Sequence, residues 1–306
     1  MLRISLNLSK SEYMAQKFVI IVVNPIAGDI DKGELVADVE AHALTLGLQT
    51  IVYETCGIND GKHIRHLYEQ YQPQRIIIAG GDGTIKEVAA ALEDVDVLFG
   101  ILPAGSANGL SVDLDIPATL DLAIPAAFSA KFIDIDMIKI NGHTSLHLSD
   151  VGLNAMLVKN YESGTTRGML GYAKQVLATF KEQTGPFRAR IELEGKEVIT
   201  EAKMVVIANS QKYGTGVVIN PFGKMDDGQF EIVVLRNLDF TVLTKILTGN
   251  IRLDTEDVDI YSTKNARIFI DPPTEFQVDG EYIGLVSELN ISILASNMKI
   301  AVPDYN

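Results

Sequence analysis

The chain has 306 residues, 47% of them hydrophobic, and a formal net charge of −14 at pH 7. That is enough apolar material for one large core or two smaller ones. The acidic surplus argues against nucleic acid as a partner, because such binding relies on basic residues displacing counterions from phosphates, and it restricts any contact with an anionic bilayer to a local, transient one.

The longest apolar runs, such as Phe18 to Val23, are strand-sized and far below the roughly 18 residues of a membrane-spanning helix. No basic start followed by a long apolar stretch and a small-residue cleavage site is present, and the single cysteine, Cys56, cannot form an internal disulfide. A cytoplasmic setting is expected. Residues 1–16 read as a polar N-terminal arm to which no function is given.

From residue 17 to about 135, short apolar strands alternate with amphipathic helices, the pattern of parallel strands joined by helical crossovers. Phe18 to Val23, Thr50 to Tyr53, Arg75 to Ala79 and Val97 to Leu102 read as strands. Leu35, Val39 and Leu46 share one helical face, and Ile64, Leu67, Tyr68 and Tyr71 follow the spacing of another. Beyond residue 130 the period changes to two. Phe187, Ala189, Ile191 and Leu193 alternate with Arg188, Arg190, Glu192 and Glu194, as in a half-buried antiparallel strand. Further strands are expected at Lys131 to Ile140, Met204 to Ala208, Phe230 to Leu235, Ala266 to Ile270 and Leu289 to Leu294, with a helix near Met169 to Phe180. The expected architecture is an α/β domain over 17–135 with a parallel sheet, then a β-rich antiparallel domain over 136–306 whose final strand returns to the first.

The most informative segment is Ile76-Ile77-Ile78-Ala79-Gly80-Gly81-Asp82-Gly83-Thr84, a buried strand running into a glycine turn that opens a helix. Glycines let backbone amides approach a phosphate without Cβ interference, and the helix start presents its positive end to the anion. Thr84 and Glu87 also satisfy the T-x-x-E capping box, so a capped helix after a tight turn is the plainer reading. Neither a Walker G-x-x-x-x-G-K-[ST] nor a strand followed by G-x-G-x-x-G is present, so the P-loop and ordinary Rossmann readings lose their main support.

Four segments, in order, make the chain resemble the diacylglycerol kinase catalytic family, which includes bacterial lipid kinases and sphingosine kinases and is related to NAD kinases and phosphofructokinases. They are Val23-Asn24-Pro25-Ile26-Ala27-Gly28; Gly80 to Thr84 with Glu87; Gly100 to Gly109, containing Gly105-Ser106-Ala107-Asn108; and a series in the second half. That series runs Asn209-Ser210, Tyr213-Gly214-Thr215-Gly216, Pro221 to Phe230 with Asp226-Asp227-Gly228, and Val278-Asp279-Gly280-Glu281. The glycine-aspartate element is shared with NAD kinases, whereas the second-half series resembles the lipid kinases alone. The first three would line a crevice at the C-terminal ends of parallel strands, where ligands of open α/β sheets sit.

The resemblance implies an ATP-dependent lipid kinase using magnesium (Mg2+), with ATP in a crevice between the domains. Asn24, Thr55, Gly80, Gly81, Asp82, Gly83, Thr84, Glu87, Gly105, Ser106 and Asn108 are the implied nucleotide-contacting residues. Glu281 is the implied general base for the lipid hydroxyl, with Asp279 beside it, although Asp279-Gly280 also reads as a hairpin turn. Asp82 competes for the role of base and equally suits organising the metal-bound nucleotide. Asp227 resembles a structural magnesium ligand, assisted by the backbone carbonyls of Lys224 and Gln229. The lipid would be met transiently at the membrane surface, and pairing into a homodimer is also implied.

The chain departs from many bacterial diacylglycerol kinases at Asn108-Gly109, where those have Asn-Asp. The version here is closer to sphingosine-kinase-like members. An NAD-kinase-like enzyme and a catalytically silent nucleotide-binding protein of the same fold are the alternatives. His63, His66, His143 and His147 lack the cysteine or carboxylate cluster that would complete a metal set, and the apolar stripe from Met169 to Phe180 reads as core packing rather than an acyl guide.

Overall fold

The computed structural model describes residues 17–106, 108–163, 185–211, 218–237 and 257–304. The expected N-terminal arm, the helix near Met169 to Phe180 and the Tyr213 to Gly216 segment lie outside the described residues. The chain divides into two compact units, one running to Ile135 and resumed from Ser296, the other spanning Asp136–Ala295.

In the first unit, β1 (Phe18–Val23) is buried along its whole length, which its unbroken run of Val, Ile and Phe suits: a parallel strand covered on both faces has no polar side. Each such side chain contributes about 1.5–3 kcal/mol on burial. Helix α1 (Lys32–Thr45) starts at Asp31, whose Oδ1 accepts the N–H groups of Gly33 (2.8 Å) and Glu34 (3.2 Å). It buries Leu35, Val39 and Ala43. Leu46, expected on that face, is the C-cap and is 52% exposed: the helix ends before the periodicity does.

Strand β2 (Gln49–Glu54) is followed by α2 (Asp60–Tyr71), which buries Ile64, Leu67 and Tyr71. Then come β3 (Arg75–Gly80), α3 (Asp82–Ala91), β4 (Leu98–Pro103) and the short helices α4 (Gly109–Asp113) and α5 (Leu120–Ala127). Strand β1 pairs in parallel with β2 on one side and β3 on the other, β3 pairs with β4, and Lys299 and Ile300 of the returning segment add in parallel to β4. The order β2-β1-β3-β4 means that the chain leaves β1 first in one direction and then in the other. The crevice of such a sheet opens between the C-terminal ends of β1 and β3.

The chain passes through β5 (Phe132–Ile140) into β6 (His143–Ser145), β7 (Leu148–Gly152), α6 (Leu153–Ser163), β8 (Phe187–Leu193), β9 (Lys196–Ala202), β10 (Met204–Ala208), β11 (Phe230–Leu235), β12 (Val258–Thr263), β13 (Asn265–Val278) and β14 (Glu281–Ala301). In the second unit the antiparallel order is β12-β11-β10-β7-β13-β14, with β8 paired to the first part of β13 and β9 to β8. Along β8 the expected alternation holds, with Phe187, Ala189 and Ile191 buried and Arg188 exposed. Strand β10 is buried on both faces: Val205 and Ile207 join the core around Phe230, Ile268 and Phe276, while Met204, Val206 and Ala208 pack with Leu148, Val233 and Leu235.

Candidate active site

At the end of β1 the Asn24 N–H donates to the Ala79 carbonyl (3.0 Å), and its side-chain Nδ2 donates to Thr84 Oγ1 (3.2 Å). One residue thus spans the switch point. Its Oδ1 accepts the Ile26 N–H (3.1 Å), which turns the chain away from the sheet. Thr55, at the end of β2, is buried and donates its N–H to the Val23 carbonyl (2.9 Å), so it emerges beside Asn24.

The glycines are required by contact. A Cβ on Gly105 would stand 2.3 Å from Gly81 Cα and 2.8 Å from Gly81 N, and one on Gly28, whose φ is +55°, would stand 2.7 Å from the Ala104 carbonyl oxygen. A Cβ on Gly80 would lie 2.5 Å from Thr84 Oγ1. The loops after β1, β3 and β4 therefore meet backbone to backbone. Gly83 differs: nothing lies within 4 Å of where its Cβ would be, and it is exposed. It sits in the first turn of α3, whose leading N–H groups have no intrahelical acceptor.

Thr84 is the third residue of α3, not its cap. The N-cap is Gly81, without a side-chain hydrogen bond, so the Thr84–Glu87 capping box does not form: the helix begins three residues earlier than that motif requires. The Thr84 hydroxyl instead receives Asn24. Asp82 opens α3 and turns its carboxylate to α4, Oδ2 accepting the Gly109 N–H (2.8 Å) and Oδ1 that of Leu110 (3.0 Å). Asn108, at φ +53°, closes a ring with Gly105: the Gly105 N–H donates to Asn108 Oδ1 (2.8 Å), and Asn108 Nδ2 donates to the Gly105 carbonyl (2.9 Å). Ser106 is exposed and Glu87 half-buried. Lys32, which the sequence reading passed over, donates its Nζ to the Ala27 (2.6 Å) and Ile30 (2.9 Å) carbonyls and brings a cation to the loop after β1. A lysine at the first position of a helix carries no motif that would have found it.

In the second unit, Asp279 and Gly280 are the two central residues of the β13–β14 hairpin, with φ of +49° and +84° and Val278 paired to Glu281. The hairpin reading of this pair is thus correct, and the aspartate does more than turn the chain. Its Oδ1 accepts Ser145 Oγ (2.9 Å) and the N–H groups of His147 (3.0 Å) and Leu148 (3.1 Å), and Oδ2 accepts that of Leu146 (2.9 Å). Glu281 is exposed. Below the turn, buried Gln277 accepts the Gly280 N–H on Oε1 (2.6 Å) and donates to Asp150, which also receives Asn154 Nδ2 (2.6 Å).

Asp227 is exposed, and its Oδ1 accepts the Gln229 N–H (3.0 Å) across Gly228 at φ +72°. Lys224 is exposed and Gln229 half-buried. This turn is tied to the hairpin through buried groups. The Gly228 N–H donates to Asp136 Oδ2 (2.6 Å), while Asn209 Nδ2 donates to the Asp136 (2.8 Å) and Leu146 (2.9 Å) carbonyls. Leu146 in turn holds Asp279. Among the described residues no group of three His, Cys, Asp or Glu side chains could hold a metal. A carboxylate with two main-chain carbonyls, as expected at Asp227, would form an all-oxygen set suited to a hard cation. His147 is buried with its Nδ1 3.2 Å from Ser210 Oγ, a local bond rather than a ligand position.

The second unit also holds a largely apolar cleft of about 280 Å³, walled by Leu153, Met156, Phe187, Pro273 and Leu285, with Glu275 among its polar groups. It opens where the β13–β14 register shifts between Phe269 and Thr274. Glu275 accepts Lys159 Nζ (2.6 Å) and the Tyr282 hydroxyl, which, after burial, pushes the Tyr282 phenol up.

Residues 18–140 match the diacylglycerol kinase catalytic domain, and residues 149–302 match the YegS C-terminal NAD kinase beta sandwich-like domain. The chain belongs to the diacylglycerol kinase catalytic family. Within this lipid kinase family it is 26% identical over 278 residues to a diacylglycerol kinase of Bacillus subtilis, covering 87% of this chain and 90% of that protein. It is also 26% identical over 288 residues to a Pectobacterium atrosepticum protein named probable lipid kinase YegS-like, covering 90% and 93%. A Synechocystis protein named uncharacterized is 29% identical over 242 residues, 76% of this chain, and the match spans 55% of that protein's length. The fold is that of a solved structure described as a diacylglycerol kinase from Bacillus anthracis, at a TM-score of 0.73 and 20% identity over 94% of this chain and 97% of that one.

Proposed function

We propose that the protein is an ATP-dependent lipid kinase that transfers the γ-phosphate of ATP to a lipid hydroxyl. The observation that carries this reading is the contact of Gly81 with Gly105, which closes the loops after β3 and β4 on each other and leaves the start of α3 open at Gly83. A triphosphate needs such a bare main-chain surface, with N–H groups aimed outward and no Cβ in the way.

In this reading the first unit binds ATP through the loop after β1, Thr55, the Gly80 to Thr84 segment, Glu87 and the Gly105 to Asn108 loop. Phosphoryl transfer asks mainly for positioning and charge neutralisation. The Glu281 carboxylate, exposed at the head of β14, takes the proton of the lipid hydroxyl. The hydroxyl oxygen forms a bond to the γ-phosphorus as the bond to the β–γ bridging oxygen breaks, releasing ADP. Asp82, with both carboxylate oxygens on backbone amides, holds the Gly105 to Leu110 segment in place. Magnesium bound with the nucleotide would neutralise charge on the phosphates; a second ion would be held by Asp227 with the carbonyls of Lys224 and Gln229. The apolar cleft of the second unit supports an acyl-bearing acceptor. In this reading the lipid would be met by transient peripheral contact at the membrane surface; among the described residues no helix is long and apolar enough to cross a membrane.

The test is labelled ATP with a panel of diacylglycerols, sphingoid bases and other lipid alcohols in mixed micelles, run beside NAD. Label should pass to a lipid and not to NAD, and Glu281→Gln should abolish transfer while ATP binding persists. Transfer to NAD alone would favour a soluble dinucleotide acceptor. ATP binding without transfer to any acceptor would make the chain a silent nucleotide-binding protein. Should a lipid be phosphorylated, Met156→Trp should shift its preference toward shorter acyl chains.

A further inference from the structure

The loop joining β2 to α2, residues 55–59, is exposed from Cys56 to Asn59, yet it is folded around a carboxylate that is 1% exposed. Asp60 Oδ1 accepts the Tyr53 hydroxyl (2.6 Å) and the Cys56 N–H (3.0 Å), and its Oδ2 accepts the Gly57 N–H (2.6 Å) and lies 3.1 Å from the Cys56 nitrogen. Gly57 and Asn59 take positive φ, +78° and +55°, so that the chain can double back over the acid. A buried charge is costly unless its donors are fully supplied. Here they come from the loop itself and from Tyr53, near the C-terminal end of β2.

A solvated connection between a strand and a helix does not need an internal anion. What this one secures is the path of the main chain immediately after Thr55, whose own N–H is held by Val23. The anchor therefore determines where the Thr55 hydroxyl and the Cys56-Gly57 peptide stand relative to Asn24 and the glycine loops at the same end of the sheet. Tyr53 closes the anchor on its far side, its hydroxyl 3.2 Å from His63 Nδ1.

We infer that Asp60 is a positioning residue for nucleotide binding, holding the loop 55–59 in the geometry that receives the nucleotide at Thr55. This rests on the reading of the first unit as the ATP site. Asp60 touches no substrate; it acts through the backbone it ties down. Burial resists its ionisation, but the Tyr53 hydroxyl and the Cys56 and Gly57 amides outweigh burial and hold its carboxyl below the usual range.

The test uses the full chain with ATP or a fluorescent ATP analogue, read by direct binding, by nucleotide-induced thermal stabilisation and, given an acceptor, by steady-state kinetics. Asp60→Asn keeps the size but removes the charge and one amide acceptor. It should weaken nucleotide binding about ten-fold and raise KM for ATP alike, while kcat and KM for the acceptor stay within about two-fold. Tyr53→Phe removes one donor and leaves the loop amides on the carboxylate; it should lower Tm and weaken nucleotide binding by about two- to three-fold, clearly less than Asp60→Asn. Unchanged affinity in Asp60→Asn, at a temperature where it is folded, overturns the inference and leaves the ATP reading intact. Equal affinity losses in both variants make the anchor merely structural and also overturn it. A wild-type chain that binds no nucleotide ends the ATP reading itself, and the inference with it.

Discussion

The Asp82 carboxylate grips the backbone of Gly109, accepting its N–H at 2.8 Å, and takes the neighbouring Leu110 N–H with its other oxygen at 3.0 Å. An acid at the start of α3 thereby caps α4 and fixes the loop between β4 and α4. Asp82→Ala should cost about 1–3 kcal/mol, the penalty for amides left without their acceptor. Asp82→Asn should raise KM for ATP more than it lowers kcat. A loss of kcat of about a hundred-fold or more at unchanged KM would instead make Asp82 the proton acceptor.

Two glycines of the candidate site make opposite predictions. Gly105→Ala forces a Cβ to 2.3 Å from Gly81 Cα, backbone against backbone, and should destabilise the first unit by about 2–4 kcal/mol or prevent its folding. Gly83→Ala meets nothing within 4 Å and should leave Tm within a few degrees, since surface changes are worth about 0.5 kcal/mol or less. Nucleotide affinity should nevertheless fall in Gly83→Ala, because the methyl group would intrude on the phosphate surface. Isothermal titration with ATP beside thermal melts checks both.

Asp279 and Glu281 should separate structure from chemistry. Asp279→Ala strands four donors and places alanine at φ +49°, so it should cost about 2–4 kcal/mol. Glu281→Gln should melt with the wild type and lose phosphoryl transfer. Equal Tm losses in the two variants would show that Glu281 is needed for the hairpin rather than for the reaction.

Glu231 supplies a pH signature. Buried in β11, it accepts Asn220 Nδ2 (2.6 Å) and Ser262 Oγ (3.0 Å), but burial outweighs these bonds and raises its pKa. A carboxyl raised in the folded state binds its proton more tightly there than when unfolded. Its contribution is therefore fully present below the unfolded pKa, near 4.3, and is lost as pH rises through the higher folded value. Glu231→Gln should flatten this loss, since Asn220 Oδ1, buried and without a hydrogen-bond partner among the described residues, can turn toward the new amide. Melting curves from pH 4 to 8 should show Tm falling with rising pH more in the wild type than in the variant; parallel curves would refute it.

The change of period from helical crossovers to alternation, visible at residues such as Ile191 and Glu192, already divides the chain into an α/β part and an antiparallel part. Periodicity reports which side chains must be buried, so it is written locally. The same holds for the glycine segment, since only glycine permits main chain to lie on main chain. Locality also explains the failures. Leu46 continues the pattern of α1 beyond its end, and Thr84 with Glu87 spell a capping box inside a helix that starts at Asp82.

What the amino-acid order determined alone is therefore the two architectures and the glycine-lined turn, because burial and backbone sterics act between near neighbours. Partner choice for the long-range polar side chains was decided only by tertiary structure. That Asp82 would reach Gly109, Asn24 would reach Thr84 and Asp279 would collect the amides of Leu146 to Leu148 depends on which strand ends lie side by side. A hydrogen bond needs its donor within about 3 Å, and strand order, not sequence spacing, supplies that proximity.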